Sequence, residues 1–353
     1  MKELETILRD RVLAQGPIPV ADFMAECLLN PRFGYYTTRD PLGAAGDFTT
    51  APEISQMFGE LLGLSLAQAW LDQGAPAPFT LAELGPGRGT LMSDILRATR
   101  TIPGFHDAAR IWLVEASSTL REAQKTTLAT HAIEWVEHAD ALPDHPIFLV
   151  ANEFFDALPI RQFIRQGNGW AERCIGLDNG QFAFVTAPPT PESTLSHRLP
   201  DTRDGDLVEV SPDAPIIART IGEKIEAHGG AALIIDYGDW RSLGDTLQAL
   251  HRHETSNPLE KLGESDLTAH VDFEVLAMAS PSAHTRLTPQ GVFLERLGIA
   301  QRAEALAAHL DGEGLQSHIA AHRRLTHPAE MGTLFKVLGL YPKSATPPPG
   351  LEP

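Results

Sequence analysis

Residues 81–90, Leu81-Ala82-Glu83-Leu84-Gly85-Pro86-Gly87-Arg88-Gly89-Thr90, decide the fold class of this chain. The apolar run over 79–84 predicts a buried strand, and residues 90–99 predict a helix. Three glycines at alternate positions join the two elements. Strand, glycine turn and helix in this order are typical of the nucleotide-binding entry of an open α/β sheet.

The glycine spacing differs from the dinucleotide fingerprint, whose third glycine comes one residue later and whose ligand brings a pyrophosphate to the helix N-terminus. Glu83 precedes the turn and would repel a pyrophosphate but attract a cation. S-adenosylmethionine (SAM) carries an ammonium and a sulfonium and no phosphate. The pattern therefore favours SAM over NAD, with Glu83, Gly85, Gly87 and Gly89 as cofactor-binding residues. A glycine turn without a ligand is the alternative.

The composition is that of a folded protein, with 353 residues, 43% apolar and 21% charged. The net charge of −18 argues against binding to nucleic acid or anionic membranes, which relies on basic surface. It suits a cationic substrate such as an arginine-bearing protein, although the charge by itself is better explained by an acidic surface that aids solubility. No apolar run approaches the ~20 residues of a membrane span.

Two cysteines, Cys27 and Cys174, form no disulfide framework and no metal pattern, which favours a reducing compartment. The N-terminal residues match neither a secretory signal nor an Arg-rich transit peptide. We therefore expect a cytoplasmic protein of bacterial type, and a location in the mitochondrial matrix only if a transit peptide is missing.

The fold class is predicted as α/β, a Rossmann-like and mostly parallel sheet flanked by helices. We expect an N-terminal helical region with a lid loop over 1–75, a core over 76–345 and a frayed tail over 346–353. Insertions into the core are expected at about 160–206, beginning with an antiparallel ribbon over 161–185, and at about 250–330, mostly helical. The predicted strands are 79–84, 111–115, 133–136, 147–151, 231–235 and 334–340, and the predicted helices are 3–15, 20–29, 52–72, 90–99, 118–130, 214–228, 272–279 and several within 290–324. Residues 187–206 are expected to form an exposed loop, and the rest of 245–285 to be irregular.

In such a sheet, ligands bind beyond the carboxyl ends of the strands. Glu115 ends the second strand and can accept hydrogen bonds from ribose hydroxyls, or it is an acid at a helix N-terminus. Asp140 follows the third strand and can accept from an adenine amino group, with a capping role equally expected. The fourth strand ends in Asn152-Glu153-Phe154-Phe155-Asp156.

Glu153 and Asp156 are the predicted catalytic residues. Carboxylates can hold a guanidinium by bidentate hydrogen bonds, stabilise its charge and orient a nitrogen toward the sulfonium methyl. Phe154 and Phe155 either stack on a cation or belong to the core, and we expect core for at least one of them.

Two further motifs carry titratable groups, Asp236-Tyr237-Gly238 at the end of a strand and His270 between Asp266 and Asp272. His270 is a candidate general base or metal ligand, or a structural residue beside the helix that follows Asp272. The histidines lack zinc-type spacing, so no metal site is predicted.

The chain resembles the MidA family of class I SAM-dependent methyltransferases. The segments that carry this resemblance are 46–60 (GDFTTAPEISQMFGE), 83–90, 113–115, 153–156, 236–238, 266–273 and Met331-Gly332. The family's mitochondrial members are arginine methyltransferases that act as complex I assembly factors and carry His at the position of Asn152. Asn152 suits a SAM contact or an amide-reading role, and it leaves substrate choice open.

The resemblance implies that residues 46–53 help to close the SAM pocket, with Gly46, Asp47, Thr50 and Pro52 as cofactor contacts. It also implies symmetric dimethylation of an arginine on a complex I-type quinone reductase subunit. A SAM-binding assembly factor without catalysis and a small-molecule methyltransferase are the alternatives. The oligomeric state is left open, with a homodimer as one alternative.

Overall fold

The glycine turn follows the central strand of a mostly parallel sheet in the structure, a computed structural model that describes residues 2–38, 50–252 and 254–353. All six residues of this strand, Phe79–Leu84, are buried. Its two neighbours, Ala109–Val114 and Ile147–Asn152, both run parallel to it. A strand covered on both faces needs apolar side chains at successive positions, which explains why its sequence shows no alternation.

The strand order reverses at Phe79–Leu84. From there the chain adds Ala109–Val114 and then Ile133–Val136 on one side, and it returns to the other side with Ile147–Asn152. Gly230–Asp239 extends the sheet in parallel, and Phe335–Tyr341 adds an antiparallel strand. Ligands of open α/β sheets bind at such a reversal, at the carboxyl ends of the strands. The predicted fold class is confirmed.

The described residues form two compact units, each assembled from separate stretches of chain. The sheet unit comprises 50–155, 215–240 and 273–353, and the ribbon unit comprises 2–38, 156–214 and 241–272. The division at residues 75 and 345 that the sequence suggested stays a prediction. Gly46 and Asp47, two of the predicted cofactor contacts, lie outside the described residues.

The remaining elements of the sheet unit are mostly helices, and those over 56–72, 90–99 and 290–296 share an apolar core with the sheet. They are the helices Ala51–Ile54, Gln56–Asp72, Thr90–Thr99, Phe105–Ala108, Ser118–Thr127, Ala214–His228, Phe273–Ala279, Gln290–Arg296, Ile299–Ala307, Gly312–Thr326 and Met331–Leu334, the 3-10 helix Ala139–Ala141, and the short strands Ala283–His284 and Thr288–Pro289.

The helix that we predicted over 52–72 is two helices that meet at Ser55. This residue has an extended backbone, with φ −162° and ψ 137°, and its Oγ accepts a hydrogen bond from the Met57 N–H at 3.3 Å. Ser55 therefore acts as the N-cap of the second helix and ends the first one after a single turn.

The ribbon unit contains an antiparallel sheet, as predicted over 161–185. The hairpin turn at Asn179-Gly180 has left-handed backbone at both residues, with φ 48° and 78°, which is the geometry of a two-residue turn between twisted strands. The elements of this unit are the helices Lys2–Gln15, Val20–Leu29 and Tyr35–Thr38, the 3-10 helix Ser193–Arg198, and the strands Ile18–Pro19, Arg161–Gln166, Gly169–Asp178, Gln181–Thr186, Leu207–Val210, Gln248–His251, Glu254–Ser256, Asp266–Thr268 and Val271–Asp272.

The segment expected to form an exposed loop over 187–206 is mostly exposed, but it contains the 3-10 helix Ser193–Arg198 and buries Leu195 and Arg198. Two other sequence expectations are wrong. The stretch expected to be irregular after residue 245 forms a three-stranded sheet. The tail is not frayed, because Leu351 is buried and the Pro349 carbonyl accepts a hydrogen bond from the Ser65 hydroxyl at 2.9 Å.

Among the described helices, none is both long enough and apolar enough to cross a bilayer.

Candidate cofactor site

The glycine turn has left-handed backbone at all three glycines, with φ 60° at Gly85, 53° at Gly87 and 83° at Gly89. A Cβ atom at Gly85 would lie 2.9 Å from Cδ2 of Phe154. At Gly89 it would lie 3.2 Å from Cδ1 of Leu128. Conformation and space therefore both favour glycine at Gly85.

Glu83 lies in the central strand one residue before its end, and its side chain is 3% exposed. The Met92 N–H hydrogen-bonds to this carboxyl, but Oε2 has no hydrogen-bond partner among the described residues. Burial, together with the charges of Glu115 and Asp94, raises the pKa of Glu83 to about 8 against the opposing effect of the Met92 N–H. A cation beside Oε2 would compensate this buried acid, as the sequence argument for SAM requires.

Glu115 is buried directly after the second strand of the sheet. Its Oε1 accepts from the Ser117 N–H at 2.7 Å, and its Oε2 accepts from Gln124 Nε2 at 3.2 Å. Burial raises the pKa of Glu115, although the hydrogen bonds from Ser117 and Gln124 favour its charged form. The carboxylate is thus held in a fixed orientation at the edge of the sheet where a ribose would be expected.

Gln124 is a site residue that the sequence analysis missed. Its amide nitrogen also donates to the Gly87 carbonyl at 2.7 Å, and its amide oxygen accepts from Trp135 Nε1 at 2.7 Å. The side chain is fully buried and links the glycine turn to Glu115. A signal was present, because Gln124 lies four residues from both Leu120 and Leu128 and so occupies the core side of its helix.

Asp140 has an exposed side chain, whereas Glu83, Glu115 and Asn152 are buried. It lies in the 3-10 helix Ala139–Ala141, while the neighbouring Leu142 is buried. An adenine contact of Asp140 stays a prediction.

Asn152 ends the fourth core strand and is buried. Its Nδ2 donates to Oε1 of Glu153 at 3.1 Å, and its Oδ1 has no hydrogen-bond partner in the part of the chain that the structure describes. The same Glu153 Oε1 accepts from the Ala51 N–H at 3.2 Å. Glu153 has left-handed backbone, with φ 50°, which is rare for a residue other than glycine, asparagine or aspartate.

Thr50 and Pro52, two further predicted contacts, belong to the one-turn helix Ala51–Ile54, where Thr50 is the N-cap residue and Pro52 lies in the first turn. Glu53 of this helix was not predicted as a site residue. Its Oε1 accepts from the Thr90 hydroxyl at 2.6 Å, at the start of the helix that follows the glycine turn.

Asp236 holds the backbone at Phe155, the second residue of the aromatic pair. One of its carboxylate oxygens accepts from the Phe155 N–H at 3.0 Å, and the other accepts from the Tyr237 N–H at 2.9 Å. Phe155 is 3% exposed, so the expectation that at least one of the two phenylalanines belongs to the core is confirmed. Asp236 is fully buried and fixes the backbone after the fourth strand.

Asp156, the other predicted catalytic residue, is the first residue of its stretch in the ribbon unit, whereas Glu153 belongs to the sheet unit. Asp156 is buried, and its carbonyl accepts from the Ala269 N–H at 3.0 Å. In the same unit the Tyr36 hydroxyl donates to Asp266 at 2.8 Å. Burial and the charges of Asp266 and Asp156 raise the pKa of Tyr36 well above its usual value.

His270 donates its backbone N–H to the Thr246 hydroxyl at 2.8 Å. Among the described residues, no group of three or more His, Cys, Asp or Glu side chains could hold a metal ion.

The ribbon unit also has a cleft of about 520 Å³ lined by residues that include Arg9, Phe182 and Glu260. None of the predicted site residues lines this cleft.

The strand reversal of the parallel sheet, the left-handed glycines after the central strand and the fixed acid after the second strand together define a class I methyltransferase fold, and ligands of such sheets bind at the reversal. Two buried acceptor atoms, Glu83 Oε2 and Asn152 Oδ1, have no hydrogen-bond partner among the described residues. SAM fits the donors and acceptors present, since its ammonium, its hydroxyls and its adenine amino group are all hydrogen-bond donors.

Comparison with known proteins agrees with this class. A sequence-family model for S-adenosyl-L-methionine-dependent methyltransferases matches residues 61–292. The mitochondrial protein arginine methyltransferase NDUFAF7 homolog of Drosophila melanogaster is 37% identical over 95% of this chain and 84% of its own length. The human protein arginine methyltransferase NDUFAF7 is 35% identical over 94% of this chain and 82% of its own length.

A solved structure from Burkholderia thailandensis, described as a "likely methyl transferase" and bound to S-adenosyl-homocysteine, has a TM-score of 0.82 to this chain at 29% identity. The similarity covers 96% of this chain and 92% of that one. The chain belongs to the MidA family of SAM-dependent methyltransferases, and the resemblance noted from its motifs is confirmed.

Proposed function

We propose that this methyltransferase acts on an arginine of a protein, with Glu83, Gly85, Gly87, Gly89, Glu115, Asp140 and Asn152 as its cofactor contacts. Thr50, Pro52 and, outside the described residues, Gly46 and Asp47 complete the proposed set. The observation that supports the cofactor contacts is a pair of buried oxygens at the carboxyl ends of two strands, Glu83 Oε2 and Asn152 Oδ1, which have no hydrogen-bond partner in the described part of the chain. Two buried acceptors of this kind are costly unless a ligand supplies the missing donors.

SAM supplies an electrophilic methyl group on its sulfonium sulfur. Glu83 would hold a cationic group of the bound molecule, which favours the ionised carboxylate over the protonated one. Glu115, already oriented by Ser117 and Gln124, would accept from ribose hydroxyls. The left-handed glycines let the backbone approach the ligand closely.

Glu153 and Asp156 are the proposed catalytic residues. Each would hold the guanidinium of the acceptor through charge-assisted hydrogen bonds and stabilise the positive charge that it retains during transfer. A guanidinium held in this way has one nitrogen already aligned with the methyl group. The entropy cost of orienting it is therefore met on binding and not during the reaction. The proton released from this nitrogen would pass to one of the two carboxylates.

The arginine acceptor is supported by the names of the relatives, which are protein arginine methyltransferases. This chain matches more than four fifths of their length. A complex I-type quinone reductase subunit as substrate and symmetric dimethylation rest on the family resemblance. The curated relatives are named mitochondrial. For this chain we propose a cytoplasmic location, which fractionation of the source cells would test.

In the test, the purified protein is incubated with methyl-labelled SAM and with extract from cells in which the gene for this protein is deleted. The labelled species are then identified by mass spectrometry. We expect label on a protein arginine, with one methyl on each terminal nitrogen. Label on lysine or only on small metabolites would contradict the arginine proposal. Tight SAM binding without any labelled acceptor would favour an assembly factor without catalysis.

A further inference from the structure

The hydrogen bond between Asn152 and Glu153 fixes which way the Asn152 amide points. A carboxylate only accepts hydrogen bonds, so the amide group of Asn152 that lies 3.1 Å from Glu153 Oε1 must be the nitrogen. The amide oxygen is then turned away from Glu153. This oxygen is buried and has no partner within the described chain, so it is presented as an acceptor for a donor that is not part of these residues.

The same carboxylate oxygen also fixes the helix Ala51–Ile54 at its first residue. The Ala51 N–H is an N-terminal helix donor without an intrahelical partner, and Glu153 Oε1 satisfies it at 3.2 Å. Glu53, two residues further along, is hydrogen-bonded to the Thr90 hydroxyl at 2.6 Å. The one-turn helix is thus attached both to the end of the fourth strand and to the helix after the glycine turn.

The backbone of Glu153 brings its side chain to these partners. Its left-handed conformation is unfavourable for a residue with a Cβ atom, and local strain of this kind persists where the surrounding structure requires it. Glycine would adopt the same conformation without strain. A glutamate at this position therefore points to a requirement for its side chain rather than for its backbone.

We propose that Glu153 is a positioning residue for the cofactor, acting through Asn152, whose amide oxygen it presents to the bound SAM, and through the Ala51 N–H. This inference rests on the proposed cofactor contact of Asn152. It adds a second role to Glu153 beside the proposed hold on the acceptor. The positioning role needs only an oxygen acceptor, whereas the hold on a guanidinium needs the negative charge.

Two substitutions of Glu153 distinguish the positioning role from the hold on the guanidinium. In Glu153→Gln the amide oxygen still accepts from the Ala51 N–H and from Asn152, so SAM affinity, measured by calorimetry without acceptor, stays within about twofold of wild type. Glu153→Gly removes the side chain in a residue type that fits the left-handed backbone, so the protein stays folded. We expect this variant to bind SAM about tenfold more weakly, the effect of losing one oriented hydrogen bond.

Ala75→Gly is the matched control, since Ala75 lies in the same unit with φ 52° and precedes the central strand Phe79–Leu84, whereas the glycine turn follows the carboxyl end of that strand. It removes a Cβ atom from the same backbone conformation and should leave SAM affinity unchanged. The second measurement is a double-mutant cycle with Asn152→Ala. If Glu153 acts through Asn152, the effect of Glu153→Gly becomes smaller when Asn152 is already removed.

Three results would overturn the inference: wild-type SAM affinity in Glu153→Gly, equal losses in the Gln and Gly variants, or full additivity with Asn152→Ala. None of these affinities involves the methyl acceptor. A failure of the arginine proposal, which is seen in the labelling experiment, is therefore distinguishable from a failure of this one.

Discussion

The substitution Glu83→Gln should stabilise the ligand-free protein while it weakens SAM binding. The carboxyl of Glu83 has a pKa of about 8 in the folded chain against a usual value of 4.5. Between these values the folded state binds more protons than the unfolded state, so this residue lowers the free energy of unfolding as the pH rises from 4.5 to about 8. Glutamine keeps an oxygen for the Met92 N–H and removes the titration.

The magnitude follows from about 1.4 kcal/mol for each pH unit above the unfolded pKa. Relative to a side chain that does not titrate, Glu83 lowers the free energy of unfolding by about 3 kcal/mol at pH 7 and by less than about 1 kcal/mol at pH 5. The stability gap between Glu83→Gln and wild type should therefore widen by about 2 kcal/mol or more from pH 5 to pH 7.

The assay is chemical unfolding of both proteins without SAM at the two pH values, together with calorimetric SAM titrations. The matched control is Glu137→Gln, an exposed position of the same unit, for which the gap should not widen. A gap for Glu83→Gln that is equal at pH 5 and pH 7 would refute the assignment of a buried, protonated acid. Undiminished SAM affinity would refute its role toward the cofactor.

The remaining predictions concern the turn, the acid pair and the acceptor. Gly85→Ala should lower SAM affinity more than tenfold, because its Cβ atom meets Phe154 at 2.9 Å, whereas Gly74→Ala, with φ 84° and nothing within 4 Å, should leave affinity unchanged. Glu153→Gln and Asp156→Asn should each slow turnover by about two orders of magnitude with little change in SAM affinity, and normal rates in both would exclude the acid-pair mechanism. Salt should raise the KM for the protein acceptor more than the Kd for SAM, since exposed charges more than ~8 Å apart are screened at physiological ionic strength. Equal salt dependence of the two constants would contradict recruitment by the acidic surface.

Much of the sheet unit could be predicted because its signals are local. The strand Phe79–Leu84 and the helix Thr90–Thr99 have the bounds expected from the sequence, as does the helix Val20–Leu29 of the ribbon unit. Apolar runs of strand length and glycines between a strand and a helix are sufficient for such elements. The break at Ser55 was missed because the apolar periodicity continues across it. A serine predicts the start of a helix only where the residues before it are not themselves predicted to be helical.

The candidate site was predicted by residue type but not by environment. Acids at successive strand ends are visible in the sequence, since parallel strands place their carboxyl ends at one edge of the sheet. The spacing of Gln124 from Leu120 and Leu128 indicated only that it lies on the core side of its helix, and its hydrogen bonds to the Gly87 carbonyl and to Glu115 depend on tertiary packing. The exposure of Asp140 likewise follows from how its short 3-10 helix packs.

The sequence by itself determined the fold class, the position of the glycine turn and the preference for a cationic cofactor over one with a pyrophosphate, because these depend on residues that are neighbours along the chain. Only the tertiary structure decided that Glu83 is desolvated enough to raise its pKa to about 8, and that Glu153 orients Asn152 from a left-handed backbone. It also decided that each unit is assembled from separate stretches of chain. Burial, orientation and pKa depend on atoms from segments distant in sequence, whose approach no local pattern encodes.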